Sequence, residues 1–124
     1  MIRLSEIRLP LSAAENPEPA LIQSAATVLG IQPADMARLT VFKRSFDARK
    51  RELLAVYIVD LELADRAQER ALLARHAGHP HIQPTPDMAW RPVGRAPATL
   101  ADRPVVVGFG PCGIFAALVL AQMG

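Results

Sequence analysis

Apolar and polar positions change their spacing several times along the chain, and each change marks an element. Ile2 and Leu4, then Ile7, Leu9 and Leu11, alternate as the inward face of a strand does. The change of phase between the two sets predicts a bulge or a bend. Asn16-Pro17-Glu18 predicts a helix start, with Asn16 as cap, Pro17 in the first turn and an acid near the positive end. Leu21, Ile22, Ala25, Val28 and Leu29 form the apolar face of that helix, and Gly30 its end. Thr40–Phe46, rich in β-branched and aromatic residues, predicts a strand, and Asp47-Ala48-Arg49-Lys50 a polar turn. Over Leu53–Leu63 every odd position is apolar, while the even ones pass from Leu54, Val56 and Ile58 to Asp60 and Glu62. One face of this strand is therefore expected to be buried throughout and the other only at its start. Asp65 and Gln68, at capping-box spacing, predict a helix to about Ala77, ended by Gly78. The order is β-α-β-β-α. A fourth strand would complete a ferredoxin-like α+β sandwich, although Ile82 alone recommends one there.

Proline and charge divide the chain. Six of the 11 prolines fall between Pro80 and Pro104, and no charged side chain follows Arg103. The expected layout is a small α+β domain over residues 1–80, a proline-rich linker over 81–103, and the start of something else over 104–124.

That last segment reads PVVVGFGPCGIFAALVLAQMG. Val105-Val106-Val107 predicts a short strand of the kind buried in parallel sheets. Gly108, Gly110 and Gly113 then spell G-x-G-x-x-G, followed by a helical run from about Pro111 to Met123. In a dinucleotide site the first glycine allows the tight turn out of the strand. The second lets a pyrophosphate approach the backbone, and the third lets the helix pack close to the strand. Ala117, one turn beyond Gly113, continues the small surface. Pro111 suits a first helical turn, and the helix N-terminus offers free N–H groups and a partial positive charge to phosphate. The acidic residue expected to bind a ribose lies about 20 residues beyond the motif, past the last residue here. Ile114, Phe115, Ala116, Leu118, Val119, Leu120 and Met123 make the helix apolar nearly all round, so it expects burial on every side. The sequence is therefore expected to be the front end of a longer protein, and not to hold a cofactor tightly by itself.

Val105–Gly124 resembles the nucleotide-binding segment of NAD(P)/FAD-dependent oxidoreductases, where G-x-G-P-x-G with a small residue four places on is common. The opening MIRLSEIRLPL, the segment KRSFDARKRE (Lys43–Glu52) and the run into RPVVVGFGPCG are similar to one branch, uncharacterised bacterial FAD-dependent dehydrogenases. In that branch a small α+β domain precedes a Rossmann-type flavin domain. The resemblance implies that Gly108, Gly110, Pro111, Cys112 and Gly113 line the FAD pyrophosphate, with Cys112 replacing the usual alanine. It implies FAD as cofactor and NAD(P)H as an electron donor in the full-length oxidoreductase. The partners it implies are the flavin and the remainder of the flavin domain, and this chain alone is expected to be inactive.

Composition narrows the alternatives. The 124 residues are 51% hydrophobic and 21% charged, a globular composition. A net charge of +2 argues against a strongly electrostatic nucleic-acid binder. One cysteine excludes a disulfide framework and a cysteine-based zinc site, and leaves Cys112 without a resolving partner. The N-terminus lacks the layout of a signal peptide, which points to the cytoplasm. The uncharged stretch 104–124 is long enough to cross a bilayer, but three glycines and two prolines before its end, with no anchoring cluster beyond, argue against a membrane span.

Lys43, Arg44, Arg49, Lys50 and Arg51, with Phe42 and Phe46 interleaved, could form an RNA-stacking hairpin. Asp47 and Glu52 among them favour a solvated turn, and the shared parity of the two phenylalanines points both at the core. His76, His79 and His81 could ligate a metal, but Gly78 and Pro80 break the helix between them, so no metal site is expected. The alternative to a flavoenzyme is a small α+β module that binds a partner protein or RNA and carries an apolar C-terminal helix.

Overall fold

The strict alternation that ends at Leu63 does form a strand, and it lies inside a sheet rather than at an edge. In the computed structural model, which describes residues 1–49 and 51–124, the elements in order are β1 (Ile2–Pro10), α1 (Glu18–Leu29), β2 (Met36–Asp47), β3 (Leu54–Leu63), α2 (Arg66–Arg75), β4 (Ile82–Pro84) and α3 (Pro111–Met123). The chain divides into two units, Met1–Pro86 and Asp87–Gly124.

The first unit is an α+β fold. Its four strands form one antiparallel sheet in the order β2-β3-β1-β4. The short β4 pairs with the start of β1, Leu4 opposite Ile82, and closes the β-α-β-β-α-β order. Residues 81–86, which proline content assigned to the linker, thus belong to the sheet unit. Pro84 is compatible with this because β4 is an edge strand, where a missing N–H costs no ladder bond.

Both helices lie on one face. Ala55, Tyr57, Val59, Leu61 and Leu63 of β3 are buried there with Ile2, Leu4, Ile7 and Leu9 of β1, Leu21, Ala25 and Leu29 of α1, and Leu72 of α2. The phase change in β1 is a register shift between Leu4 and Ile7, so that Ser5 and Glu6 together span the place opposite Ile58. Glu6 takes a positive φ of 61°. The irregularity keeps Leu4 and Ile7 on the same buried face although they are three residues apart.

Local punctuation holds with shifts of a residue or two. Gly30 ends α1 in the left-handed conformation, φ 66° and ψ 43°. A guanidinium N–H of Arg75 donates to the Leu29 carbonyl at 2.7 Å, placing a cation at the negative end of α1. The N-cap of α1 is Pro17 rather than Asn16, with no side-chain cap bond. Val28 is exposed, while Ala26, outside the expected apolar face, is buried. Asp65 caps α2 by accepting from the Ala67 N–H at 2.7 Å. Gln68 does not reach back to complete the box, and its amide points to Asp35 at 3.5 Å instead.

The two phenylalanines of β2 depart from expectation. Val41 pairs with Val59 and Lys43 with Ile58, so Phe42 is an extra residue in the ladder. The bulge reverses the parity: Phe46, opposite Ala55, stands on the helix side, and Phe42 on the open side. Neither joins the core, since Phe42 is 47% and Phe46 54% exposed. The helices cover β1 and β3 and stop short of the outer half of β2.

On the open face a polar cluster joins three strands. The Arg3 guanidinium donates to both Asp60 carboxylate oxygens at 2.8 Å, and the Thr85 hydroxyl donates to the same carboxylate at 3.1 Å. Arg3 also lies 3.7 Å above the Phe42 ring. The hydrogen bonds from Arg3 hold the Asp60 carboxyl below its ordinary range, against the opposing effect of burial. Since the folded-state pKa is depressed, the stabilisation is complete above the unfolded carboxylate range and is lost as pH falls through the lower folded value. Asp60→Asn should therefore cost about 1–3 kcal/mol at neutral pH, and the gap to wild type in urea unfolding should narrow on acidification. Tyr57, whose buried hydroxyl has no partner among the described residues, offers the opposite case. In the same assay Tyr57→Phe should be neutral or stabilising by up to about 1 kcal/mol.

Candidate functional site

The second unit carries the glycine motif, and its geometry separates the three glycines. Gly108 has φ 110°, a conformation that L side chains rarely adopt, so the turn itself requires glycine. At Gly113 a Cβ would stand 2.1 Å from the Gly108 carbonyl oxygen and 3.7 Å from the side chain of Val106. The first turn of α3 is pressed against the loop that precedes it, and no side chain fits between them. Gly110 differs from both. It caps α3 with φ −79° and ψ 175°, an extended conformation open to any residue, and nothing lies within 4 Å of where its Cβ would be.

Pro111 occupies the first helical position, where its missing N–H leaves nothing unpaired. The Ile114 N–H donates to the Gly110 carbonyl at 3.0 Å, the first bond of the helix. The N–H groups of Cys112 and Gly113, the two residues before it, have no backbone acceptor among the described residues. They are the donors that a helix N-terminus offers to an anion. Cys112 is a free, exposed thiol.

Val105–Val107 does not form the expected strand. The three residues belong to no sheet among the described residues, and Val105 and Val107 are 86% and 94% exposed. A strand is defined by its ladder, and no segment of this unit runs alongside. Likewise none of the residues of α3 is buried. The chain from Leu100 to Val106 and the Ala117, Leu120 and Ala121 side of α3 border a groove of about 510 Å³. Arg103, the last charged residue, lines it. Its only mark in the sequence is its place before the uncharged run.

The other residues singled out from sequence are distributed as follows. His76, His79 and His81 come close, with successive ring centroids 6.0 Å apart and steeply inclined. The His81 N–H donates to Nδ1 of His79 at 3.1 Å, and the Ser5 hydroxyl lies 3.0 Å from Nδ1 of His81. No group of three or more potential ligands among the described residues could hold a metal ion. In the basic hairpin Arg49 is tied back to Asp47 by two side-chain bonds of 2.9 and 2.8 Å. These hold the Asp47 carboxyl far below its usual range. Arg51 is exposed, and Lys50 lies outside the described residues. No helix among the described residues is long and apolar enough to cross a membrane.

A sheet unit of β-α-β-β-α-β order followed by a glycine loop and a helix defines the architecture, and comparison places the first part of it. Residues 1–62 match the family described as "Domain of unknown function (DUF8436)", and the chain belongs to that family. The match takes in β1, α1, β2 and nearly all of β3, and stops before the glycine motif. The chain is also 34% identical over 125 residues to an "Uncharacterized protein" of Clostridium beijerinckii. That alignment covers 99% of this chain and 22% of the relative, so the chain spans about a fifth of the relative's length.

The close approach at Gly113 gives a direct test. Gly113→Ala should force the start of α3 away from the loop and speed amide exchange throughout α3. Gly94→Ala, in the same unit with open space around it, should leave α3 exchange unchanged.

Proposed function

We propose that this chain is the leading part of an FAD-dependent oxidoreductase. In this reading the first unit is a ferredoxin-like domain, and the second opens a Rossmann-type flavin-binding domain. Gly108, Gly110, Pro111, Cys112 and Gly113 then form the loop that holds the FAD pyrophosphate. The Cys112 and Gly113 N–H groups and the positive end of α3 face its charge. The flavin, when bound, supplies the electron transfer at its isoalloxazine ring. NAD(P)H is the electron donor in keeping with the reading, and the cytoplasm its location.

One observation carries the proposal. The fold of the loop accounts for Gly108 by its φ and for Gly113 by its missing space, but it asks nothing of Gly110. An absent side chain with open space before it, beside two backbone donors that have no partner among the described residues, fits the close approach of a phosphate to the backbone. The exposed apolar surface of Val105, Val107 and α3 fits the same reading, as surface for the remainder of a flavin domain. An α+β module whose apolar helix α3 serves a partner protein would share that surface, but it gives Gly110 no role.

The test is to express the reading frame to its stop codon and measure FAD per chain after gel filtration. Wild type should retain stoichiometric flavin. Gly110→Ala should keep its helix content but lose FAD affinity tenfold or more, equivalent to at least about 1.4 kcal/mol. The 124-residue chain alone should emerge with little or none. Full flavin retention by Gly110→Ala, or no flavin in the wild type, would remove the proposal.

A further inference from the structure

The sheet of the first unit has two edges of very different character. β4 is three residues long, whereas β2 spans 12 residues, Met36–Asp47, and only its inner side is paired. From Ala37 to Phe46 no backbone group is bonded to anything but β3 among the described residues. Along this edge Val41, Phe42 and Phe46 are all more than two-fifths exposed. A long edge with apolar side chains and free N–H and C=O groups is a template for a further strand.

Charge narrows what that strand is. Arg38, Lys43 and Arg44 stand along β2, and none of them has a carboxylate within ion-pair distance among the described residues. The acids closest in register are already engaged: Asp60 by Arg3, Glu62 by Arg66 and Asp47 by Arg49. Lys43 pairs with Ile58 and so stands on the open face, while Arg44, opposite Tyr57, stands on the helix face. Uncompensated positive charge therefore borders both faces of the free edge. Such an edge repels a second copy of itself through its like charges.

We propose that the outer edge of β2 takes up an acidic, extended segment of a partner protein as a fifth strand. Backbone bonds to β2 supply the docking. Carboxylates of the segment meet Arg38, Lys43 and Arg44, and its apolar side chains stand beside Val41 and Phe46 as cross-strand neighbours. Single-stranded nucleic acid is the rival polyanion, and the aromatic geometry disfavours it. Base stacking needs aromatic rings exposed on one surface. Here Phe42 and Phe46 lie on opposite sides of the sheet, and one face of Phe42 is covered by Arg3 at 3.7 Å.

The experiment titrates the isotopically labelled 124-residue chain with a short peptide of alternating glutamate and valine. It is repeated with a lysine–valine version, with a glutamate–valine version N-methylated at every second amide, and with oligouridylate. The acidic peptide should shift and protect the amides of residues 37–46 and bind at least tenfold more tightly than the lysine version. N-methylation, or the variant pair Lys43→Glu and Arg44→Glu, should each weaken it tenfold or more. Equal binding of the two charge versions, indifference to N-methylation, or shifts mapping away from β2 would overturn the proposal. Tighter binding of oligouridylate with shifts at Arg3, Phe42 and Lys43 would replace it with a nucleic-acid surface.

Discussion

The first unit hangs on the one-sided burial of β3. Because Ala55, Tyr57, Val59, Leu61 and Leu63 all face the helices, a slip of one residue would turn the whole set to solvent and bring Asp60 and Glu62 into the core. That penalty fixes the register of β1 and β2 on either side. Each neighbour then absorbs its mismatch in irregularities, at Ser5 and Glu6 in β1 and at Ala37 and Phe42 in β2. The same burial leaves the opposite face to the Arg3–Asp60–Thr85 cluster and to half-buried Leu54, Val56 and Ile58.

The second unit obeys a different constraint, a contact in which a hydrogen atom replaces a side chain. Gly113 lies so close to the Gly108 carbonyl that no side chain fits between the helix and the loop. The close approach there contrasts with the rest of α3, which is apolar and has no buried residue. A closely packed loop joined to an exposed apolar helix has the character of an element shaped for surroundings that it does not itself supply. The proposed flavin domain would supply them.

Much of this was legible in the sequence where periodicity is strong. The alternation in β3, the phase change in β1, Gly30 as the end of α1 and Asp65 as the cap of α2 all follow from local rules, because local geometry decides them. The parity of Phe42 and Phe46 did not follow. The bulge at Phe42 sits where β2 is exposed on both faces, so no phase change in the hydrophobic pattern marks it as one marks the irregularity in β1, yet it reverses every side chain beyond it. Ile82 was a weak sign of β4 because a three-residue edge strand has too little alternation to stand out. In the glycine motif the spacing was plain. What spacing could not do was sort the three glycines by cause, since φ and free space exist only in three dimensions.

The central claim is that the backbone of the Gly110–Gly113 turn receives a phosphate. The most direct measurement is the amide resonances of Cys112 and Gly113 in the protein expressed to the end of its reading frame, recorded with and without FAD. The account predicts that both N–H groups shift on loading and exchange with solvent much more slowly. Flavin bound at full occupancy with those two amides unmoved and still exchanging freely would contradict it.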